Sequence, residues 1–337
     1  MAWAVSAVVL LASCFLTPSE AFYSPGSSVR VVGREVLSSA QKPAICSIAG
    51  RTRAGAKLGA AGSRISMSAA AGGEILEGDT VVVVGASGGI GRLVTQSLAS
   101  TGKYKVKGLV RNLEKAKEAL LSSAGGGLEI ELEQGDILDE SSLVAAMKGA
   151  ACVVACTGTT AFPSKRWNGG NTPDAVDNLA VGNMLRAAAG GGSLKRFVLL
   201  SSVGVTRADK FPFVILNAFG VLDAKAKGEA AVRKAAKEGG FGYSIVRPGQ
   251  IKGDPFLTYS NSGAALSPDA PEKGSAKRMV SLRQGDSEAG DVNPSSVAEA
   301  FTQTVGQVGA IGKSYTVINS LGDAPSQGTW DELFAKL

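Results

Sequence analysis

Histidine is absent from all 337 residues, so no imidazole is available anywhere in the chain. A histidine general base is excluded, and a zinc site in the body of the protein has no support. Cysteine is scarce: four in total, of which Cys14 and Cys46 fall in the first 67 residues and only Cys152 and Cys156 in the body. Both body cysteines lie in one expected strand, four positions apart, which separates them by about 13 Å along one face. That is too far for a disulfide, and two unpaired thiols suit a reducing compartment better than an extracellular one. Excess charge is also missing where a polyanion would need it. The chain has 35 Lys and Arg against 29 Asp and Glu. Seven of those bases (Arg30, Arg34, Lys42, Arg51, Arg53, Lys57, Arg64) and two acids (Glu20, Glu35) precede residue 68. The remainder is close to neutral, so bulk charge supports neither a nucleic-acid partner nor an anionic membrane surface. No internal repeat is present.

The one long apolar run, Ala4 to Leu16, is of signal-peptide length and too short to span a membrane as a mature helix. Ser19-Glu20-Ala21 offers small residues for a cut before Phe22. Residues 22–67 then turn to Ser, Ala, Gly and basic residues, a transit-like and disordered composition. A signal peptide at 1–21 followed by such a segment resembles the bipartite leader of algae with secondary plastids. It implies delivery to the chloroplast stroma. A secreted protein with a basic tail is the alternative.

The body, 68–337, opens on Thr80-Val81-Val82-Val83-Val84, a strand apolar enough to be buried on both faces. Gly85, Gly88 and Gly91 follow in the spacing GxxGxxG, with a helical apolar period after Arg92. Strand, glycine turn and helix together form a dinucleotide cradle. Gly85 permits the tight turn, Gly88 a close backbone approach to a pyrophosphate, and Gly91 close packing of helix on strand. Free N–H groups at the helix start attract the phosphates.

Further strands are expected at 105–110, 128–132, 151–156, 195–201, 241–246 and 314–318, alternating with helices at 113–122, 141–148, 174–189 and 224–238 and a short one near 330–337. This alternation predicts an α/β fold of Rossmann type, a doubly wound parallel sheet in a single domain with a small C-terminal substrate-side region. A cofactor would lie at the switch point, over the carboxyl ends of the first and fourth strands. Residues 255–290, rich in Ser, Gly, Pro and Asp, read as a substrate-side loop or lid.

The second strand ends Leu109-Val110-Arg111-Asn112, with Lys115 a turn later and no acid at the tip. A guanidinium there favours the 2′-phosphate of NADP over the ribose hydroxyls of NAD, unless Arg111 is only a solvated turn residue. Asp136, in Gly135-Asp136-Ile137, either accepts from an adenine amino group or closes a turn. Thr157-Gly158-Thr159 ends the fourth strand with residues small enough to let backbone run beside a cofactor.

GASGGIG (85–91), VRN (110–112), GD (135–136), LLSSVG (199–204), AKAKGE (224–229) and YSIVRPG (243–249) occur in order. The set resembles the atypical and extended short-chain dehydrogenase/reductases, in particular the NmrA-like and plastid NAD(P)-binding branch. The resemblance implies that Gly85, Ala86, Ser87, Gly88, Gly89, Ile90, Gly91, Arg111, Lys115, Asp136, Ile137, Thr157 and Gly158 contact the nucleotide. It also implies that Ser201, Ser202 and Lys225 stand near the nicotinamide ribose. Members of that superfamily pair such a lysine with a tyrosine four residues earlier. Here that position is Val221, or Asp223 if Lys227 is the lysine. Of the five tyrosines only Tyr259, in the 255–290 segment, was placed to reach the site. Two readings follow: hydride transfer to a conjugated, quinone-like or flavin-like acceptor, with Ser201 and Ser202 either orienting it or only capping the strand end, or a non-catalytic NAD(P)-binding sensor or assembly protein of the plastid. Arg247, before Pro248-Gly249, reads as the partner of an acid rather than as a substrate ligand.

Overall fold

Alternate valines of the first strand serve opposite sides of one sheet. The computed structural model describes residues 73–121, 127–252 and 278–337. The expected leader segments at 1–21 and 22–67, and Tyr259, lie outside the described residues. In β1 (Thr80–Val84), Val81 and Val83 join one apolar cluster and Val82 and Val84 another, each essentially inaccessible to water. Burial on both faces is what a central parallel strand requires. The first face is covered by α1 (Gly89–Ser100), through Val94 and Leu98, and by a later helix, through Phe301 and Val305. The second is covered by α3 (Glu140–Met147), α4 (Ala180–Gly190) and the long α6 (Val221–Gly239), through Leu143, Met184 and Val232.

Around β1 the sheet grows as β2 (Lys105–Val110), β3 (Ile130–Gln134), β4 (Cys152–Ala155), β5 (Arg196–Leu200) and β6 (Gly242–Pro248). Helix α2 (Leu113–Leu121) links β2 to β3, and α5 (Phe213–Leu216) is a single turn before α6. Two strands, β7 (Gln250–Ile251) and β9 (Asp291–Val292), form a small separate parallel pair. The C-terminal part adds β8 (Met279–Gln284), α7 (Pro294–Gly306), β10 (Lys313–Ser320) and α8 (Gln327–Ala335). The eight-stranded order is β3-β2-β1-β4-β5-β6-β10-β8, parallel throughout except for β8 against β10. The chain order reverses between β1 and β4, so the switch point falls between them, as the alternating pattern predicts.

Besides the short β7, β9 and α5, two longer elements depart from expectation. Residues 279–284, inside the stretch read as loop, form the antiparallel edge strand β8, with Val280 and Leu282 buried and Ser281 between them partly exposed. Helix α7 was not anticipated, although Asn293 precedes it and Pro294 opens its first turn. Its C-terminal end is held from within: the fully buried Arg196 guanidinium donates to the carbonyls of Thr304, Val305 and Gln307 and to that of Gly73. Such a cation satisfies carbonyls left without intrahelical partners and opposes the negative end of the helix dipole. No helix among the described residues is long and apolar enough to cross a membrane.

Candidate functional site

The turn after β1 is built from glycine because nothing larger fits. Gly85 has φ of 79°, and its N–H and that of Ala86 both donate to the Leu109 carbonyl. Gly88 N–H closes the turn on Gly85 O at 2.9 Å. A Cβ on Gly91 would overlap that same carbonyl oxygen, so α1 can sit this close to the strand end only with glycine there. Helix α1 starts without a side-chain cap and without an acid in its first turn. Its free N–H groups and positive dipole end are therefore open toward the cleft above them.

That cleft encloses about 620 Å³ and crosses the carboxyl ends of six neighbouring strands, from Gly135 after β3 to Gly249 after β6. At the usual strand spacing this is roughly 24 Å, long enough for an extended dinucleotide. Gly85, Ser87, Gly88, Gly89, Ile90, Arg111, Ile137, Thr157, Gly158, Ser201, Ser202 and Lys225 all line it. Four residues chosen from the sequence do not. Ala86 is buried beneath the turn, where it bounds the space at Gly108, and Gly91 faces the strand. Lys115 lies exposed on α2, its N–H taken by the Asn112 side chain, and Asp136 accepts from Leu138 N–H to close its own turn. Glu114 pairs with Lys117, leaving Arg111 without a carboxylate partner among the described residues.

Opposite Arg111, Lys225 projects from α6 and donates to Asp177 Oδ1 at 2.7 Å, with both side chains largely buried. Asp177 also accepts from the Thr159 N–H and hydroxyl. It belongs to a π-helical turn, Asp174–Leu179, ahead of α4. A Cβ on Gly228 would overlap the Asp177 carbonyl oxygen, so α6 approaches that turn through a glycine, three residues after the lysine it presents. A Cβ at Gly158 would meet Lys225 Nζ at 3.2 Å, so the glycine keeps this corner open. Asp177 was not singled out from the sequence; an acid amid the apolar positions of an expected helix is the only local signal for it.

Both serines line the cleft, and both hydroxyls are engaged within the protein. Ser201 donates its hydroxyl to Glu229 Oε1 at 2.6 Å, and Arg247 grips the same carboxylate at 2.8 and 2.6 Å. Arg233 adds a third contact at 2.8 Å. Burial acts to raise the Glu229 pKa, but hydrogen bonds and charge from Arg247, with Ser201 and Arg233, outweigh it and hold the carboxyl below its ordinary value. Ser201 therefore locks the β5 end to α6, and its proton is not directed at an acceptor. Ser202 donates to the Val203 carbonyl. Val221 is buried, and neither Tyr104, Tyr243 nor Tyr315 lines the cleft. Cys156 lines it, but burial drives its thiol pKa far up, and Cys152 is pushed to about 12 by burial, so neither is a thiolate nucleophile.

Among the described residues the charged groups of the lining are Arg111, Arg166 and Lys225, with no carboxylate. A glycine cradle, an uncapped helix start and the cations Arg111 and Lys225 suit the pyrophosphate, phosphates and ribose of a nicotinamide dinucleotide.

Comparison with known proteins agrees. The NAD(P)H-binding family matches residues 85–305, about two thirds of the chain. An uncharacterised chloroplastic protein of Arabidopsis thaliana is 32% identical over 184 residues, covering 52% of this chain and 60% of its own. Protein TIC 62, chloroplastic, of Oryza sativa subsp. japonica is 28% identical over 188 residues, covering 52% and 36%. The chain thus spans only part of the length of these curated relatives. A solved Bacillus halodurans protein assigned to the NAD-dependent epimerases/dehydratases shares the fold, with TM-score 0.56 and 23% identity over 77% of this chain and all of its own. On fold, cradle and family match alike, the chain belongs to the NAD(P)H-binding family.

Proposed function

We propose that the protein is a plastid NADP(H)-dependent oxidoreductase that delivers hydride to a flat, conjugated acceptor of quinone or flavin type. The observation that carries this reading is the charge of the cleft: no carboxylate lines it among the described residues, and Arg111 stands at the β2 tip where a 2′-phosphate would lie. Bound NADPH would supply the hydride. Gly85, Gly88 and the α1 N-terminus would hold the pyrophosphate, and Lys225, fixed by Asp177, would bind ribose hydroxyls beside the nicotinamide. No phenol or imidazole among the described residues stands ready as proton donor. Acceptors that take their proton from water fit this cleft better than simple ketones do. The chloroplastic relatives and the leader composition support a plastid address, through the expected signal at 1–21 and transit-like segment at 22–67.

A second reading is a non-catalytic NAD(P)-binding sensor or assembly protein of the plastid. It is favoured by Val221 in place of a tyrosine and by the commitment of Ser201 to Glu229. The two part on turnover. The purified protein should bind NADPH by calorimetry and consume it in the presence of menadione, benzoquinones or flavins. Binding with no consumption across that panel would leave the second reading standing; no binding of any nicotinamide dinucleotide would defeat both.

A further inference from the structure

Arg166 has no part in the reading above. It lines the cleft, is exposed to solvent, and its guanidinium makes no ion pair or hydrogen bond among the described residues. Its segment is not slack. Thr159 is tied to Asp177, the Thr160 and Ser164 hydroxyls lie 2.9 Å apart, and Ser164 Oγ caps the 3-10 segment Lys165–Gly170 through Arg166 N–H. Trp167 donates from Nε1 to the Thr160 carbonyl and rests edge-on against Phe219, as Phe162 does. The segment leaves from Thr159 and returns to the π-helical turn that carries Asp177, and Phe219 lies two residues before the start of α6. Both ends and the middle are thus anchored on the Lys225 side, across β1 and β4 from Arg111. With Trp167 turned toward Phe219, the anchored backbone leaves Arg166 as an unneutralised cation on the wall where an acceptor, not the adenosine half of the dinucleotide, would lie.

Resting on the oxidoreductase reading, we propose that Arg166 is a specificity residue that selects acceptors bearing an oxyanion substituent, namely a carboxylate, phosphate or sulfonate. The guanidinium provides a forked set of donors matched to such a group, and an unpaired cation at the rim attracts anions during approach. A neutral acceptor of the same ring system gains neither contact.

Matched probes test this by binding alone. FMN and riboflavin share one ring system and differ by a phosphate; 1,4-naphthoquinone-2-sulfonate and menadione form a second pair. With NADP⁺ at saturation, so that its phosphate sites are filled, the anionic member of each pair should bind roughly tenfold tighter, the scale of one exposed charge-assisted hydrogen bond. Arg166→Gln should erase that difference and leave NADP⁺ affinity unchanged. Equal affinities within both pairs, including no measurable binding of either member, would overturn the proposal. So would a loss of NADP⁺ affinity in Arg166→Gln, which would assign the guanidinium to the dinucleotide. Absence of NADP⁺ binding to the unaltered protein is a separate result, and it would defeat the reading on which the proposal rests.

Discussion

Replacing Glu229 by Gln keeps the shape of its side chain but removes the negative centre of a buried cluster. Arg247, 4% exposed at its side chain, would be left facing a neutral amide. Removing one partner of a buried pair costs about 3–5 kcal/mol, because the remaining charge stays out of water. Arg233 is 39% exposed and adds little, since solvent screens it. Glu229→Gln should therefore lower the unfolding free energy by about 3–5 kcal/mol, a large share of the ~5–15 kcal/mol typical of a domain. Arg247→Met should cost somewhat less, because Arg233 and Ser201 still contact the carboxylate. Combining the two leaves no unpaired buried charge, so the double variant should lose clearly less than the two single losses together, with a coupling of about 2 kcal/mol. Urea unfolding of the four proteins measures this cycle. Additive losses would refute the view that the cluster acts as one unit. The pH dependence gives an independent check. The folded Glu229 pKa is depressed, so its contribution is full above the ordinary value of 4.5 and fades as pH falls through the lower folded value. Below pH 4.5 the unaltered protein should lose stability more steeply than Glu229→Gln; parallel profiles would contradict the assignment.

Arg111→Ala should weaken NADP⁺ about tenfold, the low end for a charge-assisted contact at an exposed side chain, and leave NAD⁺ within twofold. Calorimetry with both dinucleotides decides, and equal losses would remove the 2′-phosphate from that position. Gly91→Ala forces a methyl group against the Gly85 carbonyl, so it should cost about 1–3 kcal/mol and lower the melting temperature and dinucleotide affinity together. Unchanged values for both would show that the turn can shift. Arg196→Met strips donors from the carbonyls at the end of α7 and should destabilise the fold by about 3 kcal/mol. Hydrogen exchange should quicken in the last turn of α7 well before it does in β1; uniform exchange would argue against a local capping role.

The half of the site made by chain neighbours was readable, and the half made by distant partners was not. Four valines followed by Gly85, Gly88 and Gly91 specify a buried strand, a turn and a helix start within a dozen residues, so the cradle needed no knowledge of the rest of the fold. Arg111 was readable for the same reason, since its position follows from where β2 ends. Arg247 was read as the partner of an acid, and Glu229 is that acid. Ser201 stayed open between two roles because a hydroxyl at a strand end looks the same whether it faces a ligand or a carboxylate 28 residues later. Asp177 was invisible on similar grounds: it meets Lys225 across 48 residues through a π-helical turn that no apolar period announces. β8 offered only Val280 and Leu282 as a period-2 signal, too few to stand out beside the loop-like composition before it. Helix α7 shows another limit, because its Asn-Pro start and the spacing of Val297, Phe301 and Val305 were present but followed a stretch already read as loop. The contrast has a functional consequence. Glycines and an uncapped helix end suit what all nicotinamide dinucleotides share, and local sequence suffices to encode them. On the proposed function, discrimination among acceptors would fall to polar side chains such as Arg166 and Lys225, whose surroundings exist only once β1, β4 and α6 have come together.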